Sequence, residues 1–135
     1  MKLDSIAQLL LETGLVADEG GFGVPRLFLY SAPAAEHMHQ DSYALLVTDL
    51  AGMSVNEQLP NYHKGKFSLI TASEDVDAGY DLALKLSKSL TVYGLELDDM
   101  YIYRCVPRHL PIQFRRNEQN QFEHSVTFDI NIRLK

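Results

Sequence analysis

Cysteine is almost missing from this sequence: among 135 residues only Cys105 is present. A lone cysteine excludes an internal disulfide and fits a reducing compartment. Long apolar runs are missing as well. No stretch approaches the ~20 residues that a membrane helix needs, so no membrane partner is expected. The opening Met1-Lys2-Leu3-Asp4-Ser5 lacks the charged-then-apolar layout of a signal peptide, and export is not expected. Positive charge is scarce. Twelve Lys and Arg stand against 18 Asp and Glu, for a net charge of −6, and an acidic chain repels the phosphate backbone at long range. No internal repeat or low-complexity stretch is visible.

The length fits one domain over residues 1–135, and 46% apolar content is ordinary for a packed core. The charge is unevenly placed. Residues 1–100 hold 15 acidic and 6 basic side chains, net −9, whereas residues 101–135 hold 3 acidic and 6 basic, net +3. Arg104, Arg108, Arg115 and Arg116 crowd one short stretch. They read either as a solvated face or as a docking surface for an acidic protein partner, including a neighbouring copy.

Residues 122–134 alternate without a slip. Phe122, His124, Val126, Phe128, Ile130, Ile132 and Leu134 share one side, and Glu123, Ser125, Thr127, Asp129, Asn131 and Arg133 share the other. At ~3.3 Å per residue such a strand reaches roughly 43 Å, far beyond the usual length. One-sided alternation belongs to an antiparallel sheet with one packed face. So long a strand is expected to overshoot its sheet and to offer an edge to another subunit.

Leu3, Ile6, Ala7, Leu10 and Leu11 recur at helical spacing, and Gly14 can stop that helix in a left-handed cap. Residues 26–30, 43–48 and 66–71 read as strands, with polar connections at 31–41 and 52–65. A helix is predicted over 74–92, with carboxylates in its first turn where the dipole favours them. Its core stripe is Val76, Tyr80, Ala83, Leu86 and Leu90, Asp81 and Lys85 form a favourable i,i+4 pair, and Gly94 ends it. Residues 100–106 form a fourth strand, and a loop over 107–121 leads to the last one. The pattern predicts an α+β two-layer sandwich: a mainly antiparallel or mixed sheet of about five strands with two helices on one face.

Chemistry is sparse. Gly20-Gly21-Phe22-Gly23 lacks the Gly-Lys-Ser/Thr ending of a phosphate loop and precedes a strand instead of following one. His37, His39 and Asp41 alternate as metal ligands would, but no second ligand cluster accompanies them. His124, on the apolar side, reads as a hydrogen-bonded core or interface histidine. Cys105 alternates with Tyr101 and Tyr103 and reads as a small buried side chain. There is no Gly-x-Ser-x-Gly elbow. No catalytic residue, cofactor or metal is therefore expected, and the chain reads as non-enzymatic.

The stretch Pro107-Arg108-His109-Leu110-Pro111-Ile112-Gln113-Phe114-Arg115-Arg116-Asn117-Glu118, followed by Phe122-Glu123-His124-Ser125-Val126-Thr127-Phe128, resembles the bacteriophage minor capsid and tail-terminator (head–tail joining) families. Those proteins tend to show a proline, an apolar residue before an arginine, a short Asp/Asn-Glu-rich turn and a strand with Ser-Val-x-Phe. The matching positions are Pro111, Phe114, Arg116, the turn over 117–121 and Ser125-Val126-Thr127-Phe128. Glu12-Thr13-Gly14-Leu15 and Ala78-Gly79-Tyr80-Asp81-Leu82-Ala83 extend the similarity upstream. Arg115 stands where the family often has glycine. Asn120 replaces the usual turn glycine, and asparagine tolerates the left-handed conformation.

The resemblance implies a virion protein, assembled in the bacterial cytoplasm, that closes the head-proximal end of a tail. Six copies would form a ring on the tube, stop its growth and meet the head connector or stopper protein, while DNA passes through without specific binding. Subunit or tube contacts would fall on Arg104, Arg108, Arg115, Arg116, Glu118 and His124, with Arg116 foremost. The alternatives are another head–tail joining or minor capsid protein, a cytosolic small-ligand-binding domain built on Tyr30, Tyr43, Tyr101 and Tyr103, and a small hydrolase using a Cys105–His pair.

Overall fold

In the computed structural model, which describes residues 2–18, 24–30, 42–48, 52–114 and 120–135, the chain runs through two helices and seven strands. They are α1 (Asp4–Leu11), β1 (Arg26–Leu29), β2 (Tyr43–Thr48), β3 (Tyr62–Ser73), α2 (Val76–Leu90), β4 (Val92–Glu96), β5 (Met100–Pro107), β6 (Ile112–Gln113) and β7 (Phe122–Leu134). The strands form one mixed sheet in the order β1-β2-β3-β7-β5-β4, with β6 pairing with β7 off that path. Among the described strand pairs only β1–β2 is parallel, with an isolated parallel bridge between Ala17 and Arg26 beside it. The α+β sandwich is as expected. The sheet is larger than the alternation suggested, because β4 and the two-residue β6 lie where connections were predicted.

Strand β7 does not overshoot. Every residue from Phe122 to Arg133 is paired with β3, in a register that sets Phe67 opposite Phe128 and Tyr62 opposite Arg133. Its other side is taken by β5 from Phe128 to Leu134 and by β6 at His124 and Ser125. The longest strand is thus interior, and the expected free edge is absent. A partner of matching length explains this: β3 begins at Tyr62, inside the segment predicted to be a polar connection.

The even-numbered side of β7 carries the core. Val126, Phe128, Ile130 and Ile132 are buried, together with Leu46, Phe67, Leu69, Ile102 and Cys105 from neighbouring strands. Phe67 and Phe128 stack at its centre, ring centroids 5.0 Å apart and planes 9° from parallel. Helix α2 covers this side with Ala83, Leu86 and Leu90, and α1 adds Ile6 and Leu10. Each large side chain removed from water contributes about 1.5–3 kcal/mol. Asp75 caps α2 by accepting a hydrogen bond from the Asp77 amide at 3.0 Å, leaving that orphan donor satisfied. The helix ends at Leu90, and Gly94 falls inside β4 instead of capping it.

Two local departures shape the β5 edge. The β5–β7 register slips between Ile102 and Arg104, so Tyr103 is an extra residue, a bulge. Strict alternation would place Cys105 beside Tyr101 and Tyr103. The bulge turns it to the core side opposite Ile130 instead, and leaves Tyr103 and Arg104 both exposed on the outer side. Gly94 has φ +64, a left-handed conformation that interrupts β4 as an extended template at the sheet edge. Asn120, at φ +59, takes the left-handed role expected of it before β7.

Candidate interaction face

The sheet side away from the helices is divided. Towards β1 and β2 it is apolar: Tyr43 and Ala72 are buried, and Phe28 packs edge-on to Tyr43 at 5.9 Å. Towards β5 it is polar, cationic and aromatic, and no described helix covers it. Register places Lys64 opposite Asn131, Lys66 opposite Asp129, Tyr62 opposite Arg133, and Arg104 opposite Asn131 from the other side. These pairings bring together two lysines and an arginine some forty positions apart in the sequence. Lys64, Lys66 and Arg104 line an open depression of about 520 Å3, shared with Asp129, Asn131 and residues 52–54.

Residues 52–54 are held against β3 by a set of short contacts. The Ser54 amide donates to the Lys64 carbonyl at 2.8 Å, and the Ser54 hydroxyl accepts from the Lys64 amide at 3.1 Å. Met53 fills the space above Gly65, where a Cβ would lie 2.7 Å from its Cγ. Gly65 is the register partner of buried Ile130, so this contact lies on the core side of β3, where Met53 packs against the core.

Beside the cations stands a tyrosine cluster. Tyr101 and Tyr103 meet at 4.9 Å, Tyr62 and Tyr103 at 5.7 Å, and the Arg133 guanidinium sits 5.5 Å from the Tyr101 ring centre. Tyr103 is 40% exposed and Tyr93, on β4, 68%. Tyr30 and Tyr43 lie at the opposite end of the sheet, so the four tyrosines of the ligand-binding alternative do not line one pocket.

Of the expected interface residues, Arg104 is exposed within this face. Arg108 follows β5, its amide bonded to the Thr127 carbonyl at 2.8 Å and its guanidinium 3.3 Å from Asp129. Both partners are substantially exposed, so that ion pair contributes little to stability, about 0–1 kcal/mol. Arg115, Arg116 and Glu118 lie outside the described residues, as do His37, His39, Asp41 and the glycines at 20–23. Among the described residues no cluster of His, Cys, Asp or Glu suits a metal ion. Burial pushes the Cys105 thiol up to about 12, which suppresses the thiolate that a nucleophile would need.

His124 is placed under α2, 1% exposed. Its ring meets Tyr80 edge-on at 5.9 Å, and Nδ1 would lie 3.1 Å from a Cβ at Gly79. Nδ1 has no hydrogen-bond partner among the described residues, so the hydrogen bond expected of a core histidine is not seen there. Desolvation lowers the imidazole pKa, keeping the ring neutral. A base whose folded pKa is depressed contributes no pH dependence above its unfolded value near 6.5. As pH falls below that value, the unfolded chain takes up a proton that the folded chain does not, and stability drops. Acid titration of the melting temperature should show this drop below about pH 6.5, and His124→Phe should remove its share. An unchanged acid slope in that variant would place the titration elsewhere.

The chain matches the family described as Bacteriophage tail terminator protein over residues 7–134. A comparison with curated proteins finds no match. Among solved structures, it is similar to a chain from the virion of the native gene transfer agent (GTA) particle, with a TM-score of 0.54 and 17% identity, over 96% of this chain and 85% of that one. At that identity the likeness is one of fold. The family match runs from within α1 to the end of β7 and so takes in all of the two-layer sandwich except the first turn of α1. The chain belongs to the bacteriophage tail terminator protein family, which makes it a structural tail protein of the virion and implies a non-enzymatic role.

Proposed function

We propose that six copies form a ring that caps the head-proximal end of the tail tube, stops its elongation and offers the head connector a docking surface. The observation that supports this best is the cationic, tyrosine-rich half of the sheet. The described helices leave it uncovered, and its tyrosines and Arg104 are residue types enriched in protein interfaces. The acidic excess of residues 1–100 suits a channel wall that lets DNA slide by without adhering.

The test measures particle mass by light scattering, for the protein alone and with tail-tube protein, and tail length by electron microscopy. The expected result is a ring on tube ends and tails of uniform length. A protein that stays monomeric even with tube ends would end the proposal. Arg108→Ala and Arg116→Ala refine it. Arg108→Ala should change stability by less than about 1 kcal/mol, because its ion pair is exposed. Tails that grow overlong or fail to join heads would assign each arginine to an interface. Normal assembly by both variants would make the basic stretch a solvated face.

A further inference from the structure

We propose that successive copies associate head to tail, the cationic tyrosine face of one copy receiving the acidic start of α2 of the next. The inference rests on the ring proposed above and supplies the pair of surfaces that builds it.

The argument starts from where charge falls on the two layers. On the outer sheet side, Lys64, Lys66 and Arg104 converge on one depression, and Arg133 lies close by over Tyr101. Among the described residues Asp129 is the only carboxylate lining that depression, and it is already engaged by Arg108. On the helix side, Asp77 and Asp81 stand four positions apart on the first turns of α2, with the N-cap Asp75 and Glu74 just before them, and all four are exposed, so the start of α2 is an acidic cluster. No basic residue interrupts positions 74–84. The sheet lies between these two surfaces, so each copy carries opposite charge on opposite layers.

That separation decides between the modes of self-association. A two-fold pairing through the sheet face would set Lys64 and Arg104 near their own counterparts, and like charges across an interface are unfavourable. The same holds for pairing through α2. Head-to-tail stacking satisfies both surfaces at once, and such an interface closes into a ring when its rotation permits. The exposed Tyr93 and Tyr103 next to Arg104 give the cationic side the aromatic anchors that concentrate binding free energy. Duplex DNA is the weaker fit to the same cations, because a chain of net charge −6 repels a polyanion on approach.

Charge reversal tests the pairing. One variant carries Lys64→Glu with Arg104→Glu, a second carries Glu74→Lys with Asp81→Lys, and a third carries all four changes. Each is compared with the unaltered protein for ring mass, alone and on tube ends, after thermal melting has shown that it folds. Either two-site variant alone should lose ring formation by at least about tenfold, as coupled interfacial charge pairs do. An equimolar mixture of the two should recover alternating rings, and the four-site variant should recover rings by itself. Folded two-site variants that ring normally would overturn the pairing while leaving the tail-terminator reading intact. So would folded variants rescued neither by mixing nor by the four-site change. Normal rings with loss of tube binding, or of salt-sensitive DNA retention, would reassign the cationic face to that partner. If the unaltered protein forms no ring even on tube ends, the proposed function fails, and this inference fails with it.

Discussion

Phe128→Ala is expected to lower the unfolding free energy by about 3–5 kcal/mol, the range for truncating a large aromatic in a packed core. Phe128 is fully buried, stacked on Phe67 at 5.0 Å, and central in the sheet between β3 and β5. A cavity there is bounded on two sides by hydrogen-bonded backbone, which limits how far the walls can collapse. Domains of this size have roughly 5–15 kcal/mol in total, so the variant stands close to unfolding. Urea denaturation checks it: the midpoint should fall with the slope unchanged. Phe67→Ala should cost a similar amount, and the double variant less than the two losses together, because the rings share one contact. A loss under about 1.5 kcal/mol for Phe128→Ala would mean that the centre of the core lies elsewhere.

Gly79→Leu is expected to destabilise the fold by about 1–3 kcal/mol even though glycine is a poor helix former. Replacing a helical glycine relieves about 1 kcal/mol of propensity cost, so crowding has to exceed that. The contacts indicate that it does. A Cβ at position 79 would meet the His124 ring at 3.1 Å and Ser73 at 3.4 Å, and a leucine has three more carbons to place. Gly79 is also held in register, because the Thr71 hydroxyl donates to its carbonyl at 3.1 Å and its amide donates to Asp75 at 3.0 Å. The helix would have to lift, exposing Ala83, Leu86 and Leu90. Gly79→Ala, with one carbon to fit, should be close to neutral. Coupling with His124→Ala settles the cause: removing the imidazole should recover most of the loss in Gly79→Leu. Additive losses would show that the clash is not with His124.

The faces of the elements were legible in the sequence; their neighbours were not. Alternation over 122–134 reports which side of β7 is buried, and the burial follows it. It says nothing about what lies along either edge, so an interior strand read as an overhanging one. Strand β3 was half hidden because Lys64 and Lys66 flank a glycine on a solvent-facing stretch, and charge with glycine reads as loop. Strand β4 was hidden by Gly94. A single extra residue at Tyr103 reverses the facing of Cys105, which no strict period of two can foresee. The same limit governs the interaction face. Arg104 and Arg108 stood out because they are near each other in sequence, whereas Lys64 and Lys66 join Arg104 only through pairing across β7. Asn120 was legible in full, since the left-handed turn before β7 restricts the choice of residue by itself.

The interior position of β7 bears on how the chain is made. Among the described strands it comes last in the sequence, yet it is the one that bridges β3 and β5. During synthesis, β1–β3 and β4–β5 emerge first as two half-sheets, each with one long unpaired flank and an apolar side lacking its central layer. Neither half can close until β7 leaves the ribosome and inserts between them. Such long-range pairing is slow, and the waiting flanks are prone to pair with other chains. The pairing surface at risk of misassembly therefore belongs to the nascent polypeptide, and completion of β7 removes it.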